Sequence, residues 1–364
     1  MAVESSQSQS GIPTQFDAEK AGAFVGKVVT DCAATVSVAL AVIGDQLGLY
    51  RAMANGEPVT SVELAQRTNT SERYVREWLI NQAAAGYIAY DPQSGSYSLP
   101  AEQAVALLDA DSPFSVGGAL MIALAMTKAE PRIREIFRTG AGMGWGEHDD
   151  YMFEGCERLF RPGYLANLTQ SWIPALDGVQ EKLERGAKVA DIGCGYGDST
   201  IVIAMAYPNS HFYGFDAHAG SIERAQARAE EAGVADRVTF AVGLGTDYPG
   251  TGYDLVTYFD CLHDMGDPAK SIAHTREALA ADGTVMLVEP AAGAHIEDNF
   301  NPVGQFYSGA SVLVCTPNAL ATGSEAIGTV ATDEAERAVV TQGGLSQFRR
   351  ATETPLNRIF EARI

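Results

Sequence analysis

Apolar residues over 16–53 recur at the spacing of a helix. The positions that carry this pattern are Phe24, Val28, Ala34, Val38 and Val42. Side chains three or four residues apart share one face of a helix, so this stretch predicts one or two amphipathic helices. Residues 1–15 show no such repeat, and we expect them to be a disordered lead.

Two short helices and a hairpin are predicted between residues 60 and 100. Thr60 and Glu63 have the spacing of a capping box, which marks the start of the first helix, and Ser71 marks the start of the second. Strand-like runs on either side of a turn at residues 91–95 then predict a β-hairpin. Helix, turn, helix and hairpin in this order make a winged helix. Residues 16–100 are therefore predicted to form a mainly helical, winged-helix domain.

The pattern of the remaining chain predicts two further regions. Residues 101–180 read as a helical connector that covers the substrate site. From Lys188 onward, short apolar runs alternate with helical segments, which is typical of βαβ units in a doubly wound α/β sheet. Two last strands, 347–352 and 358–364, are predicted to form a terminal hairpin joined by Thr354-Pro355-Leu356. Residues 181–364 are thus predicted to form a Rossmann-like sheet with an antiparallel last strand.

Composition narrows the function classes. The chain has 364 residues, of which 46% are hydrophobic, and it carries a net charge of −21. So acidic a surface repels phosphate backbones and anionic lipids, which argues against nucleic acid and membranes as partners. No segment is predicted to span a bilayer, and the N-terminus does not have the pattern of a signal peptide. The cysteines form no C-x-x-C pair and favour a reducing, cytoplasmic location; they are Cys32, Cys156, Cys194, Cys261 and Cys315.

A glycine-rich loop follows the first predicted strand of the α/β region. It reads Asp191-Ile-Gly193-Cys-Gly195-Tyr-Gly197 and opens a helix. Glycines let the backbone turn tightly and approach a ligand closely. Dinucleotide sites use a related loop with the spacing G-x-G-x-x-G, whereas the spacing here is G-x-G-x-G. Asp216 ends the second strand, and a carboxylate there suits a ribose whichever of the two loops is present. A nicotinamide cofactor, or a loop without any nucleotide, therefore stays open at this point.

Two motifs carry a resemblance to a known family. The acidic G-x-G-x-G loop resembles motif I of the class I S-adenosylmethionine-dependent methyltransferases. The segment Leu262-His263-Asp264-Met265-Gly266-Asp267 resembles the L-H-D-W-x-D motif of winged-helix O-methyltransferases that act on phenolic and polyketide substrates, with Met265 in place of tryptophan. The resemblance implies S-adenosyl-L-methionine as cofactor. It also implies cofactor contacts at Asp191, Gly193, Gly195, Gly197, Asp216, Ala217, Leu244 and Asp260.

The same resemblance implies the catalytic residues. His263 matches the general base of the family, Glu289 matches the glutamate that orients it, and Asp264 matches the acid of the motif. A histidine of ordinary pKa near 6.5 can remove a phenol proton as the methyl group arrives. A structural role for His263, such as capping the next helix, is the alternative. The carboxylates near His263 are explained by the motif itself and by the start of the next helix, where negative charge suits the helix dipole. They are therefore not expected to bind a metal, and no metal is predicted.

One position departs from the family pattern. Where the family places an acidic residue against the adenine amino group, this chain has Leu244. Either Asp247 takes over that contact from a shifted loop, or Leu244 packs against the adenine ring. Aromatic residues within 145–172 and the stretch 301–320 are expected to wall the substrate pocket.

The expected protein is a homodimeric methyltransferase that acts on a small-molecule acceptor, with a hydroxyl as the methylated group. Methylation of carbon or nitrogen, and a non-catalytic regulator that binds the cofactor, remain alternatives. The two helices of the winged helix carry no net charge, because they contain three arginines, at 67, 73 and 76, and three glutamates, at 63, 72 and 77. DNA binding needs a basic patch, so this domain is expected to serve dimerisation.

Overall fold

The structure is a computed structural model that describes residues 15–364. It divides into two compact units, one ending at Ala104 and one running from Val105 to Ile364. The predicted boundary after residue 100 lies close to this division. The predicted lead 1–15 falls, apart from its last residue, outside the described residues.

The N-terminal unit contains the predicted winged helix. After a long helix, α1 (Ala18–Gln46), and a short 3-10 turn, it has α2 (Ser61–Thr68), α3 (Glu72–Ala84) and a hairpin of β1 (Ala89–Asp91) and β2 (Ser96–Ser98). Thr60 and Glu63 form the predicted capping box. Ser71 stands at the N-cap of α3, but its side chain makes no capping hydrogen bond.

Helix α1 is apolar along its length yet exposed over its first half. Phe24, Val25 and Val29 are 66%, 60% and 62% exposed, whereas Ala41 and Val42 near its C-terminal end are buried. The buried end packs on α3, where the Trp78 indole Nε1 donates to the Leu40 carbonyl at 2.8 Å. With 29 residues and a mean hydropathy of 1.6 in its most apolar window, α1 is long and apolar enough to cross a membrane. The sequence reading missed this because it counted only uncharged runs.

Helices fill the first part of the second unit, as predicted for the connector. They are α4 (Ala101–Leu108), α5 (Gly117–Lys128), α6 (Glu130–Thr139), α7 (Asp150–Asn167) and α8 (Val179–Arg185). Two glycines let α5 and α7 approach closely. A Cβ on Gly118 would lie 2.5 Å from the Gly155 carbonyl oxygen, which is too close for any side chain.

A seven-stranded sheet forms the core of the second unit. Its strands are β3 (Lys188–Ile192), β4 (His211–Asp216), β5 (Val238–Val242), β6 (Tyr253–Phe259), β7 (Leu279–Pro290), β8 (Gln347–Glu353) and β9 (Asn357–Arg363). The order is β5-β4-β3-β6-β7-β9-β8; β9 runs antiparallel to both of its neighbours, β7 and β8, and the other described pairs are parallel. The predicted α/β sheet with an antiparallel last strand is thereby confirmed.

Helices cover both faces of this sheet. Those that follow β3 are α9 (Asp198–Ala206), α10 (Ala219–Glu231), α11 (Pro268–Ala278), α12 (Pro302–Ala310), α13 (Thr316–Thr322) and α14 (Asp333–Gln342). Alternate strand residues point to opposite faces. Val189 therefore packs with Ile203 of α9 and Ala225 of α10, while Ala190 belongs to the layer with Ile272 of α11 and Val340 of α14.

The strand order reverses at β3, because β4 lies on one side of it and β6 on the other. In open α/β sheets the ligand crevice opens outside the strand carboxyl ends at such a reversal. The glycine loop after β3 and the acidic residue at the end of β4 both lie there. The fold thus places the motifs found in the sequence at one edge of the sheet.

Candidate active site

The loop after β3 depends on its glycines. Gly193, Gly195 and Gly197 have φ angles of 72°, 52° and 80°, which residues with a Cβ rarely adopt. A Cβ on Gly195 would meet no atom within 4 Å, because the backbone there faces open space. A Cβ on Gly197 would instead lie 2.5 Å from the Phe240 ring. The loop is therefore open at its middle glycine, and its last glycine permits close packing.

A cavity of about 310 Å³ opens beside this loop, at the carboxyl edge of the sheet. Seven of the predicted site residues line it, namely Gly193, Gly195, Asp216, Ala217, Leu244, Asp260 and Asp264. These residues follow four different strands, β3, β4, β5 and β6, and the parallel sheet brings them together. Four predicted site residues, Asp191, Gly197, His263 and Glu289, do not line the cavity.

Asp216 is fixed at the cavity wall by two backbone groups. Its carboxylate accepts hydrogen bonds from the Gly195 N–H at 2.9 Å and the His218 N–H at 2.8 Å. Burial raises the pKa of Asp216, and the two backbone hydrogen bonds oppose this rise. A carboxylate held in this way keeps lone pairs for two ligand hydroxyls, which suits the ribose contact expected at this position.

Asp191 faces away from the cavity, contrary to the direct cofactor contact expected for it. Its carboxylate accepts hydrogen bonds from Ser199 Oγ and Thr200 Oγ1, both at 2.6 Å, and from Thr257 Oγ1 at 3.1 Å. Burial raises the pKa of Asp191 to about 6, although these hydroxyl donors favour the charged form. Asp191 therefore ties the start of α9 to strands β3 and β6. It shapes the loop rather than touching a ligand.

Leu244 and Asp247, the two candidates for the adenine contact, lie differently with respect to the cavity. Leu244 lines the cavity and is 49% exposed. The Asp247 carboxylate accepts a hydrogen bond from the Leu244 N–H at 3.1 Å, and Asp247 is not part of the cavity wall. Asp247 therefore holds the loop, and Leu244 offers an apolar surface to a ring.

Asp260 has an unusual backbone conformation. Its φ angle is +50°, a value that costs energy in a residue with a side chain. The carboxylate accepts hydrogen bonds from Asn357 Nδ2 at 2.9 and 3.2 Å. Burial, with the charge of Glu289 adding to it, raises the pKa of Asp260 to about 8. Strain held at a cavity wall is typical of functional positions.

His263 and Glu289 form a buried pair next to the cavity. The His263 Nδ1 lies 2.5 Å from Glu289 Oε2, and the two residues are 3% and 0% exposed. The Cys315 thiol is hydrogen-bonded to the same imidazole. Burial disfavours a charged ring, but the negative charge of Glu289, together with Cys315 and the hydrogen bonds from both residues, outweighs it and holds the pKa of His263 well above its usual range. The alternative of a helix cap is not what the structure shows, since the ring is bonded to Glu289.

Asp264 connects this pair to the cavity. It follows His263 directly and lines the cavity. Burial raises the pKa of Asp264 to about 7, and the positive charge of His263 opposes that rise. Among the described residues no three His, Cys, Asp or Glu side chains are arranged to hold a metal ion.

One face of α7 supplies the apolar wall. Phe153, Cys156, Phe160 and Tyr164 line the cavity, and their spacing of three or four residues places them on one helix face. Trp145 lines it as well, whereas Tyr151 and Trp172, also proposed from sequence, do not. Tyr151 falls on a different face of α7, and Trp172 lies beyond the end of that helix.

His218 is a cavity residue that the sequence reading missed. It belongs to none of the motifs found in the sequence, yet it lines the cavity and its ring lies 4.9 Å from that of Phe153. Its Nδ1 is 2.9 Å from Ser221 Oγ, at the start of α10. The stretch 301–320 contributes Asn318 to the opposite wall.

Two family models match this chain. Residues 34–108 match a family described as Rv2258c-like winged HTH domain, and residues 183–338 match one described as Methyltransferase domain. The second match contains the glycine loop, Asp216, His263 and Glu289. The chain belongs to the S-adenosylmethionine-dependent methyltransferases with an N-terminal winged-helix domain. The cofactor of this family is S-adenosylmethionine.

Curated relatives match this methyltransferase over part of their length. The 27-O-demethylrifamycin SV methyltransferase of Amycolatopsis mediterranei is 34% identical over 107 residues, which cover 29% of this chain and 39% of the relative. The ubiquinone biosynthesis O-methyltransferase of Paracidovorax citrulli is 33% identical over 135 residues, covering 36% and 53%. The matches span 24% to 53% of the length of the curated relatives.

Solved structures share the fold across nearly the whole chain. The mitomycin 7-O-methyltransferase MmcR is 18% identical with a TM-score of 0.70, and the match covers 95% of this chain and all (100%) of the other. Human N-acetylserotonin methyltransferase in complex with SAM is 14% identical with a TM-score of 0.67, covering 97% and 99%. At these identities the likeness establishes the fold of the methyltransferase and leaves its acceptor open.

Proposed function

We propose that this protein transfers a methyl group from S-adenosylmethionine to a hydroxyl group of a small molecule, with His263 as general base. The observation that carries the proposal is the buried His263–Glu289 pair, in which Nδ1 lies 2.5 Å from Oε2. His263 directly precedes the cavity residue Asp264 in sequence. A histidine oriented by a carboxylate is the arrangement that proton removal requires.

The cavity fits the cofactor. S-adenosylmethionine supplies an electrophilic methyl group on a positively charged sulfur. On the protein side, the open backbone at Gly195 permits close approach, and the Asp216 carboxylate accepts hydrogen bonds from ribose hydroxyls. Leu244 would offer an apolar surface to the adenine, and Asp260, which also lines the cavity, would be available to the positively charged part of the molecule.

Glu289 determines how His263 acts. Its carboxylate binds Nδ1, so Nε2, the ring nitrogen left to the Cys315 thiol, is the atom that takes the acceptor proton. The same carboxylate stabilises the imidazolium formed by that transfer. Because the ring is only 3% exposed and is bonded to Cys315, an acceptor in the cavity reaches it only after this thiol moves aside.

The charge of the cavity limits the acceptor. Six carboxyl groups line the described cavity and no lysine or arginine does; they are Glu157, Asp198, Asp216, Asp260, Asp264 and Asp267. Some are neutralised from behind, since Asp198 is paired with Arg161 at 3.0 Å and Arg228 at 2.7 Å. An acceptor with a carboxylate or phosphate would meet unfavourable charge here. We expect a neutral or cationic aromatic acceptor, in keeping with the ring-lined wall of α7.

A methyl-transfer assay tests this proposal. The purified protein is given S-adenosylmethionine and catechols of similar size that bear an ester, an amine or a carboxylate. We expect methyl ethers from the ester and the amine, and at least tenfold less from the carboxylate. Product methylated on carbon or nitrogen would contradict the hydroxyl assignment, and cofactor binding without transfer to any acceptor would favour a regulator.

A second copy of the chain is the partner that α1 fits. The exposed half of α1 presents a row of large apolar side chains, Phe24, Val25, Val28, Val29 and Val36. Exposed apolar surface of this extent marks an interaction site. A chain with a net charge of −21 is repelled by anionic membranes. The matching row on a second α1 supplies an apolar surface of equal length, which supports a homodimer.

A further inference from the structure

Four buried polar atoms near the His263–Glu289 pair have no hydrogen-bond partner in the described part of the chain. They are Oε1 of Glu289, both carboxyl oxygens of Glu336 and Nη2 of Arg358. The three residues are 0%, 0% and 2% exposed. Native proteins leave few buried polar atoms unpaired, because each is costly. A group of four calls for a functional explanation.

The fold brings these residues together from three elements. Glu289 of β7 is paired in register with Arg358 of β9. Two contacts fix the Arg358 guanidinium: its Nη1 lies 2.8 Å from Asp333 Oδ1, and its Nε donates to the Pro290 carbonyl at 2.9 Å. Asp333 and Glu336 lie one turn apart at the start of α14. The carboxyl group of Glu336 therefore enters the same buried space as Glu289.

We propose that Glu336 is a positioning residue for the catalytic pair. It holds a proton in the buried space behind Glu289, and by releasing that proton it changes the pH at which His263 can accept one. Where activity is the readout, this inference rests on the proposed function. The titration of His263 itself does not depend on it.

The electrostatics of the space support this role. Burial, together with the charge of Glu289, raises the pKa of Glu336 to about 8, whereas the positive charges of His263 and Arg358 oppose the rise. Two carboxyl groups that share a dry site do not both ionise near neutral pH. When Glu336 does lose its proton, the added negative charge favours the imidazolium form of His263. The pKa of His263 then rises further.

Other ionisable groups also face this region, and each has its own partner. Asp333 is paired with Arg350 and Arg358. On the cavity side, Asp260 is bonded to Asn357, while Asp264 and Cys315 lie next to His263. All of them are retained when only Glu336 is changed, so a change in titration reports on Glu336.

Nuclear magnetic resonance of histidine-labelled full-length protein measures the effect directly. In the wild type we expect the His263 signals to titrate in two steps, one of them near pH 8, where Glu336 ionises. In Glu336→Gln the step near pH 8 should be absent, and the pKa of His263 should be lowered by about one unit, the size of a single nearby charge. Glu336→Asp should keep the step near pH 8. Glu334→Gln, at an exposed position of the same helix, should titrate like the wild type.

Thermal unfolding gives a second readout. The pKa of Glu336 is raised from an ordinary value of 4.5, so folding loses stability as the pH rises from about 5 to about 8. Glu336→Gln lacks this loss, so its melting temperature relative to the wild type should be higher at pH 9 than at pH 6. A Glu336 with an ordinary pKa in the folded protein would give the same difference at both pH values.

Two results would overturn the proposal. One is a single-step titration of His263 in the wild-type protein between pH 6 and 10, which needs no variant at all. The other is identical His263 titration in the wild type and Glu336→Gln. An absence of methyl transfer with all acceptors, accompanied by the two-step titration, would count against the proposed function and leave the role of Glu336 standing.

Discussion

His263 Nδ1 lies 2.5 Å from Glu289 Oε2, and this pair joins the end of β6 to the end of β7. The contact spans two neighbouring strands, so the sheet itself sets the distance. It also fixes which ring nitrogen is committed to the carboxylate. The proposed role of His263 as general base depends on this relationship.

Replacing His263 tests its role as base. We expect His263→Gln to slow single-turnover methyl transfer by about 10² to 10⁴-fold, the usual contribution of general-base catalysis. Cofactor affinity should be retained, since His263 does not line the cavity. His295→Gln, at an exposed position, serves as the control and should turn over normally. Normal turnover in a folded His263→Gln protein would leave methyl transfer to proximity and orientation alone.

The pH dependence of the rate follows from the raised pKa of His263. Only the neutral ring accepts a proton, so the rate should rise with pH, with its midpoint above the ordinary histidine value of 6.5. Glu289→Gln removes the charge that favours the imidazolium, so the midpoint should move to lower pH while the maximal rate falls. Rates of wild type and variant measured from pH 5 to 10 provide the check. Superimposable profiles would show that Glu289 does not control this histidine.

The sequence predicted those parts of the site that lie in local motifs. The glycine loop, Asp216 and the His263 segment follow strand ends, and parallel strands bring their carboxyl ends to one edge of the sheet. The direction of a side chain was harder to predict. Asp191 turns inward because Ser199, Thr200 and Thr257 offer three hydroxyl donors there, and these come from two other elements.

Residues far apart in sequence were missed for the same reason. Glu336 lies on α14, and nothing around it in sequence connects it with Glu289 or Arg358. Only the antiparallel insertion of β9 beside β7 brings them together. His218 was missed because its neighbour Phe153 belongs to the connector, whose helices carry no motif.

Asp216 should control cofactor affinity. Asp216→Ala removes a carboxylate that is expected to receive two ribose hydroxyls. A hydrogen bond to a charged group contributes about 1.5–3 kcal/mol, so binding should weaken roughly 10- to 150-fold. Asp247→Ala is the matched control, because that carboxylate bonds the Leu244 N–H away from the cavity wall. Calorimetry with S-adenosylmethionine measures both; equal affinities for the wild type and Asp216→Ala would contradict the ribose contact.

Alanine substitution at two glycines with similar backbone angles distinguishes the cost of backbone strain from the cost of side-chain overpacking. Gly197 and Gly233 have φ angles of 80° and 69°, but a Cβ would collide with Phe240 only at Gly197. Gly233→Ala should cost about 1–2 kcal/mol of unfolding free energy, the strain of a left-handed residue. Gly197→Ala should cost about 1–3 kcal/mol more through overpacking. Urea denaturation of both variants tests this, and equal losses would show that Phe240 moves aside freely.

The exposed face of α1 should determine the oligomeric state. Val25 and Val29 are 60% and 62% exposed and lie one turn apart on that face. Changing both to lysine places two charges of the same sign on each copy, in a surface that a dimer would bury. Light scattering coupled to gel filtration should then show the mass falling from twice 38.6 kDa to 38.6 kDa. Val62→Lys, at a 50% exposed position of α2, should leave the mass of the dimer unchanged. A wild-type protein that is monomeric, and that sediments with uncharged lipid vesicles only while Val25 and Val29 are intact, would instead identify α1 as a membrane-binding helix.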